Sequence, residues 1–212
     1  MDDHNNILLY QVESAPRPRP LFFTDNESPS EKDSKIWNAF RQGSREALDY
    51  IFKHHASNLF AYGSRFSKDQ EIVLDCIQDL FVELWNRRQS LSETTSIKFY
   101  LLKSLRRRIA RTLHGIKRLE TISDEAQYLE DKMNFSAEHF LVSQETDQFR
   151  KASLKVAIEG LTKRQRESIY LKFFQGLDNE SIASVMGLSE ASVHTLVSQS
   201  IKALRKTLPK KS

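Results

Sequence analysis

The sequence predicts an all-α protein built from two small helical domains joined by an acidic linker. Three observations carry that expectation. Apolar residues recur at three- and four-residue steps through most of the 212 residues, which is the spacing of one helix face. Only six glycines and five prolines punctuate the chain, and no stretch alternates in the two-residue period of a strand. Charge, finally, is segregated: residues 1–34 carry −4, 35–118 carry +8, 119–145 carry −6 and 146–212 carry +6. Two basic blocks flanking an acidic one read as two modules that each approach a polyanion.

Residues 1–34 contain Pro-Arg-Pro-Arg-Pro at 16–20 and a polar run from Asp25 to Ser34, and are expected to form a flexible extension. The first domain, 35–118, holds four helical patterns. A short one from Lys35 to Gln42 stops at Gly43. Ser44 caps the next, with Leu48, Ile51, Phe52, Leu59 and Phe60 on one side. The third runs from about Asp69 to Arg88, with Ile72, Val73, Cys76, Ile77, Leu80, Phe81, Leu84 and Trp85 apolar. Its polar side presents Asp75, Gln78, Asp79 and Glu83, an acidic strip at helical spacing. The fourth, Ile97 to Arg118, has eight cations (Lys98, Lys103, Arg106, Arg107, Arg108, Arg111, Lys117, Arg118) and no acid. Its stripe of Tyr100, Leu101, Leu105, Ile109, Leu113 and Ile116 faces the core. Eight cations on one helix with aromatics at its start suit a nucleic-acid backbone and exposed bases.

Residues 119–145 contain seven acids and one base and read as a linker. The second domain, 146–212, opens with a helix through Phe149, Leu154, Val156 and Ile158 that ends at Gly160. Thr162 and Gln165 then form a capping-box start, followed by an apolar face of Ile169, Leu171, Phe173 and Phe174. Gly176 ends that helix. Asp178 caps a short one carrying Ile182, Val185 and Met186, Gly187 closes it, and Ser189 caps a last helix with Val193, Leu196, Val197, Ser200, Ile201 and Leu204. Two helices joined by Gly187-Leu188-Ser189 make a helix-turn-helix, whose second helix enters the major groove.

Other classes find little support. Cys76 is the one cysteine, so an internal disulfide is excluded and a reducing compartment is expected. No apolar run reaches the ~18 residues of a membrane span, and the start, MDDHNNILLY, has acids where a signal peptide has bases. The expected location is cytoplasmic. His54 and His55 point about 100° apart on a helix, a poor metal pair. No glycine-rich phosphate loop or His-Glu-x-x-His pattern occurs. No catalytic residue, metal or cofactor is expected.

In order and spacing, three stretches resemble the extracytoplasmic-function (ECF) subfamily of sigma-70-type RNA polymerase sigma factors. DCIQDLFVELWNRR at 75–88 is similar to sigma region 2.2, KFYLLKSLRRRIARTL at 98–113 to regions 2.3 and 2.4, and the segment from Leu161 to Val193 to region 4. The resemblance implies a sigma region 2 helical bundle and a region 4 four-helix domain. It implies binding of core RNA polymerase through Asp75, Gln78, Asp79 and Glu83 on the clamp coiled coil, with a second contact on the flap. It implies recognition and melting of the promoter −10 element by Lys98, Tyr100, Lys103, Arg106, Arg107, Arg108 and Arg111. It assigns −35 recognition to Arg164, Arg166, Ser189, Ser192, His194, Thr195, Ser198, Gln199 and Lys202, and implies a cognate anti-sigma factor. One departure stands out: the family's recognition helix carries several cations, whereas no Lys or Arg lies between Lys172 and Lys202 here. Two alternatives stay open. One is a helix-turn-helix regulator of the response-regulator type, which shares the LT..Q and Gly-Leu-Ser signals. The other is a helical polymerase-binding adaptor that reads no DNA.

Overall fold

The computed structural model describes residues 27–118 and 148–207, with side chains described for 27–115 and 153–207. Among these residues every regular element is helical. The outer extension and the acidic linker fall outside the described residues.

The first helix, α1 (Pro29–Arg41), begins six residues before the expected Lys35. Its start is a capping box: Ser28 Oγ accepts from Glu31 N–H while Glu31 accepts from Ser28 N–H at 2.8 Å, with Pro29 in the first turn. Residues 29–34, read from sequence as part of the extension, are therefore helical. α1 buries Ile36, Trp37 and Phe40. Its Asp33 carboxylate accepts from Ile97 N–H at 2.8 Å and so caps a helix that starts 64 residues later.

Ser44 caps α2 (Arg45–Gly63) through Ala47 N–H at 3.1 Å, and Asp69 caps α3 (Gln70–Asn86). After a 3-10 turn at Arg88–Ser90 comes α4 (Ile97–Arg118), with the predicted bounds. α4 buries Ile97, Leu101, Leu102, Leu105 and Ile109 against α2 and α3. At the centre of that packing, an added Cβ on Gly63 would meet Val73 Cγ1 at 2.5 Å and Ile109 Cδ1 at 3.2 Å. Only glycine admits this approach of three helices. Phe52, expected on the buried side of α2, is 48% exposed and rests edge-on against Phe81.

In the second domain α5 (Gln148–Glu159) leads to Gly160, and Thr162 with Gln165 forms the predicted capping box of α6 (Lys163–Ile169). Of the apolar residues of α5, Ile158 is buried and Val156 is 60% exposed. α6 runs on into a π-helical turn, Tyr170–Phe174, where Gln175 N–H bonds Tyr170 O at 3.1 Å. The extra residue of a π turn rotates the side chains beyond it relative to an α-helix. Tyr170 and Leu171 are buried as a result, while Phe173 and Phe174 are 61% and 51% exposed rather than core. Gly176 at φ +68° then reverses the chain. Asp178 caps α7 (Asn179–Met186), Gly187 closes it at φ +71°, and Ser189 caps α8 (Glu190–Thr207) through Ser192 N–H at 3.2 Å. α8 buries Val193, Val197 and Ser200 against α5, α6 and α7.

Sequence reading anticipated two domains but not their direct packing. The α7 helix lies on α4, and the buried apolar residues of both domains form one continuous cluster.

Candidate nucleic-acid interface

On α3 the core residues Val73, Cys76, Ile77, Leu80, Phe81 and Leu84 leave the opposite face to Asp75, Gln78, Asp79 and Glu83, all exposed. They alternate with exposed Leu74 and Val82, so the strip is mixed apolar and acidic. Its lower half is engaged from within the domain. Arg108 of α4 donates to Asp79 at 3.2 Å and also to Glu83, and Arg87 reaches Glu83 at 3.0 Å. Trp85 is half-buried against Phe40, with the Arg88 guanidinium 4.3 Å above its ring.

The predicted −10 residues divide into four environments, the first being that of Arg108, paired with Asp79 and Glu83 of α3. Arg107 and Arg111 are exposed. Tyr100 is half-buried, its ring 4.8 Å from that of Trp37, so in this conformation it packs on α1 instead of presenting a free stacking face. Lys98, Lys103 and Arg106 meet the second domain. Lys98 Nζ donates to Gln175 O at 2.7 Å and Lys103 Nζ to Ser184 Oγ at 2.6 Å. Arg106 donates through Nε to Glu167 at 2.7 Å and through Nη2 to the other carboxylate oxygen at 3.3 Å.

Glu167 sits at the centre of this contact and is 4% exposed. It also accepts from the Tyr62 hydroxyl of α2 at 2.8 Å. Burial, and then the neighbouring carboxylate, push the Tyr62 phenol well up, which keeps it a donor. For Arg106, burial works against the charge, but Glu167 and Tyr62 outweigh it and hold the guanidinium in its cationic form. Tyr62 stacks parallel to Tyr170 at 6.0 Å, and the Arg65 guanidinium lies 3.9 Å over the Tyr170 ring. Sequence reading missed Glu167, Tyr62, Gln175 and Ser184. A lone acid within the basic Lys163-Arg164-Gln165-Arg166-Glu167 run was the one available signal.

On α8, Ser189, Ser192, His194, Thr195, Gln199 and Lys202 are exposed and Ser198 is half-buried. Ser192, Thr195 and Gln199 line a shallow depression with Ala191 and Leu196. Arg164 is exposed at the start of α6 and Arg166 half-buried, its pKa lowered by burial. Cys76 is 2% exposed and donates to Thr112 Oγ1 at 3.4 Å.

This pairing of a cationic helix with a capped helix-turn-helix finds a match in known proteins. The family description "Sigma-70 region 2" fits residues 51–118, and "Sigma-70, region 4" fits residues 151–204. Together the two matches cover more than half of the chain. The chain belongs to the ECF subfamily of sigma-70 sigma factors.

Relatives agree along nearly their whole length. The sigma factor is 23% identical to RNA polymerase sigma factor SigV of Bacillus subtilis over 80% of this chain and 96% of that protein. It is 21% identical to ECF RNA polymerase sigma factor SigL of Mycobacterium tuberculosis over 74% and 86%. Two solved structures share the fold. One is CnrH in complex with the cytosolic domain of CnrY (TM-score 0.54, 19% identity, 82% of this chain and 95% of that one). The other is the sigma factor RpoE with the anti-sigma factor NepR from Bartonella quintana (0.51, 19%, 75% and 94%). Among the described residues no helix is long and apolar enough to cross a membrane, and no group of three or more His, Cys, Asp or Glu residues is arranged to hold a metal.

Proposed function

We propose that this sigma factor binds core RNA polymerase through the α3 strip and directs it to promoters, with α4 on the −10 element and α8 on the −35 element. The observation that carries the proposal is the back-to-back placement of α3 and α4. The acids of one and the cations of the other belong to one rigid bundle, so docking on a basic polymerase helix fixes where the cationic helix lies relative to the DNA.

Asp75, Gln78 and Asp79 occupy one exposed face at i, i+3 and i+4 and meet a basic partner as a unit. Exposed Leu74 and Val82 add apolar contact to the same docking face. Arg107 and Arg111 contact phosphates directly, and Lys98, Lys103, Arg106 and Arg108 add to the cationic track once their present partners yield. Base reading at −35 falls to Ser192, His194, Thr195, Ser198 and Gln199 through hydrogen bonds to base edges. Phosphate contact there comes from the flanks, Arg164, Arg166 and Lys202. The chain supplies no catalytic group to these roles; bond formation belongs to the polymerase. The work is done in the cytoplasm, where polymerase and chromosome meet.

The similar structures of CnrH and RpoE are complexes with the cytosolic domain of CnrY and with NepR, which supports an anti-sigma partner for this chain too. The response-regulator alternative needs an alternating strand and helix receiver, and the described residues of 27–118 are helical without strands.

Run-off transcription with purified core polymerase on a genomic promoter library tests the proposal. New start sites that depend on the added protein are expected. Absence of both new start sites and core binding overturns it; core binding without new start sites indicates the adaptor reading.

A further inference from the structure

The outward face of α8 carries a narrow set of side chains. With Ala191 at zero, Lys202, Thr195, Gln199, Ser192 and Leu196 follow around the helix at about 20°, 40°, 80°, 100° and 140°. Five of these six line the shallow depression on α8, and Val193, Val197 and Ser200 are buried on the opposite side. The arc has no acid, because Glu190, the one acid of α8, falls about 100° outside it. Its one cation is Lys202.

That inventory decides which bases the arc can read. Guanine is gripped in the major groove by Arg or Lys on O6 and N7, and cytosine by an acid that accepts from N4. Neither residue type stands on the arc before Lys202. Lys202 lies about 16 Å along the axis from Ala191, where a straight helix has left the curving groove for its phosphate rim. His194 is exposed on the other flank, and a neutral imidazole has one N–H and no donor fork. Gln199, by contrast, carries the donor for adenine N7 and the acceptor for adenine N6–H. The Thr195 hydroxyl donates to Ala191 O at 3.0 Å, so its methyl group is what Thr195 has left to offer the groove. Ser189 and Ser192 hydroxyls bond each other at 2.7 Å, and Ser189 Oγ also accepts from Ser192 N–H. Those two hydroxyls are spent on the helix cap.

We infer that α8 selects A·T pairs in the −35 element and makes no guanine contact there: Ala191 and Thr195 pack on thymine C5 methyls, and Gln199 grips an adenine. This inference rests on the proposed placement of α8 at −35 and names the base pairs chosen there. Ala191, Thr195 and Gln199 follow one another at about 6 Å along the axis. At 3.4 Å per base pair they cover about four adjacent pairs. Apolar contact with a thymine methyl needs no charge, which is how a face without cations still discriminates.

Base analogues test the assignment. Holoenzyme made with the full chain is selected on promoters that share one −10 region and are randomised across −35. Adjacent A·T pairs are expected to be enriched. Uracil in place of thymine removes the C5 methyl alone and is expected to weaken wild-type binding about fourfold. Thr195→Ser, which keeps the hydroxyl and loses the methyl, is expected to ignore the swap at its own pair. 7-Deazaadenine lacks the N7 acceptor and is expected to cost the wild type about fivefold and Gln199→Ala nothing. Gln199→Arg is expected to move the preference at that pair from adenine to guanine. Selection of G·C pairs by the wild type, or analogue effects equal in wild type and variants, overturns the inference while the −35 role stands. A flat −35 profile, with start sites still set by the −10 region, overturns the −35 role and the inference together.

Discussion

Arg108 on α4 donates to Asp79 on α3 at 3.2 Å, joining the helix assigned to DNA with the strip assigned to polymerase. The same guanidinium also serves Glu83. Each surface therefore holds part of the other's charge in the free protein.

That sharing makes the two surfaces separable by mutation. Arg108→Ala releases Asp79 and Glu83 to a basic partner, and exposed ion pairs of this kind are worth about 0–1 kcal/mol. Core polymerase affinity is expected to rise by about twofold, while promoter opening, read by permanganate reactivity of unpaired thymines, falls. Asp79→Asn with Glu83→Gln does the reverse, weakening core binding first. Parallel losses in both assays for Arg108→Ala exclude the division of labour.

Gly63 is the tightest point of the first domain. A methyl group there meets Val73 Cγ1 at 2.5 Å within a packed three-helix crossing, and overpacking of this kind costs about 1–3 kcal/mol. Gly63→Ala is expected to lower the urea midpoint accordingly. The paired Gly63→Ala/Val73→Ala variant, which removes the clashing methyl, recovers part of the loss. No shift in the single variant would show that α2 can move away from α3 freely.

The hydrogen bond from Ser181 N–H at 2.7 Å, with the Ser181 side chain, holds the Asp178 carboxyl below the usual carboxylate range. A depressed folded-state pKa contributes stability above the unfolded value near pH 4, and that contribution fades as pH falls through the folded value. Replacing the cap with alanine costs about 1 kcal/mol near neutral pH. Denaturation of Asp178→Ala and wild type is expected to differ at pH 7 and to converge toward pH 3. Asp178→Asn, which caps without titrating, flattens this part of the pH dependence; a difference that persists unchanged at pH 3 rules out the charge as its source.

The features legible in the sequence are local ones. Thr162 with Gln165, Asp178, Gly187 and Ser189 each announce a helix end because a cap is decided within four residues, and all hold those positions in the fold. Ser28-Pro29-Ser30-Glu31 is the same signal, and it governs α1 despite the polar run around it. Other features depend on residues far apart in the chain. Asp33 caps α4 across 64 residues and Glu167 meets Arg106 across 61, and no periodicity encodes such a pairing. Phe173 and Phe174 turn outward because the π turn breaks the 3.6-residue count on which their expected burial depended. At the candidate site, the polarity of α3 and α4 was readable, whereas the occupation of α4 by the second domain was not.

The cation-poor α8 gives a last, two-part prediction. Its exposed face offers Ser192, Thr195 and Gln199 to base edges, and the first cation after Lys172 is Lys202, also exposed. A side chain that contacts one phosphate adds about one unit to the slope of log affinity against log salt, whatever the sequence. Lys202→Ala in the holoenzyme is therefore expected to lower that slope by about one and to weaken all promoters alike. Gln199→Ala acts differently: a lost base-edge contact costs about 1–3 kcal/mol at one base pair and relaxes preference there. Salt titrations on a promoter set randomised across the −35 region read both effects. If Lys202→Ala leaves the slope unaltered and Gln199→Ala leaves the preference unaltered, α8 does not lie in the groove, and the helix-turn-helix serves polymerase contact alone.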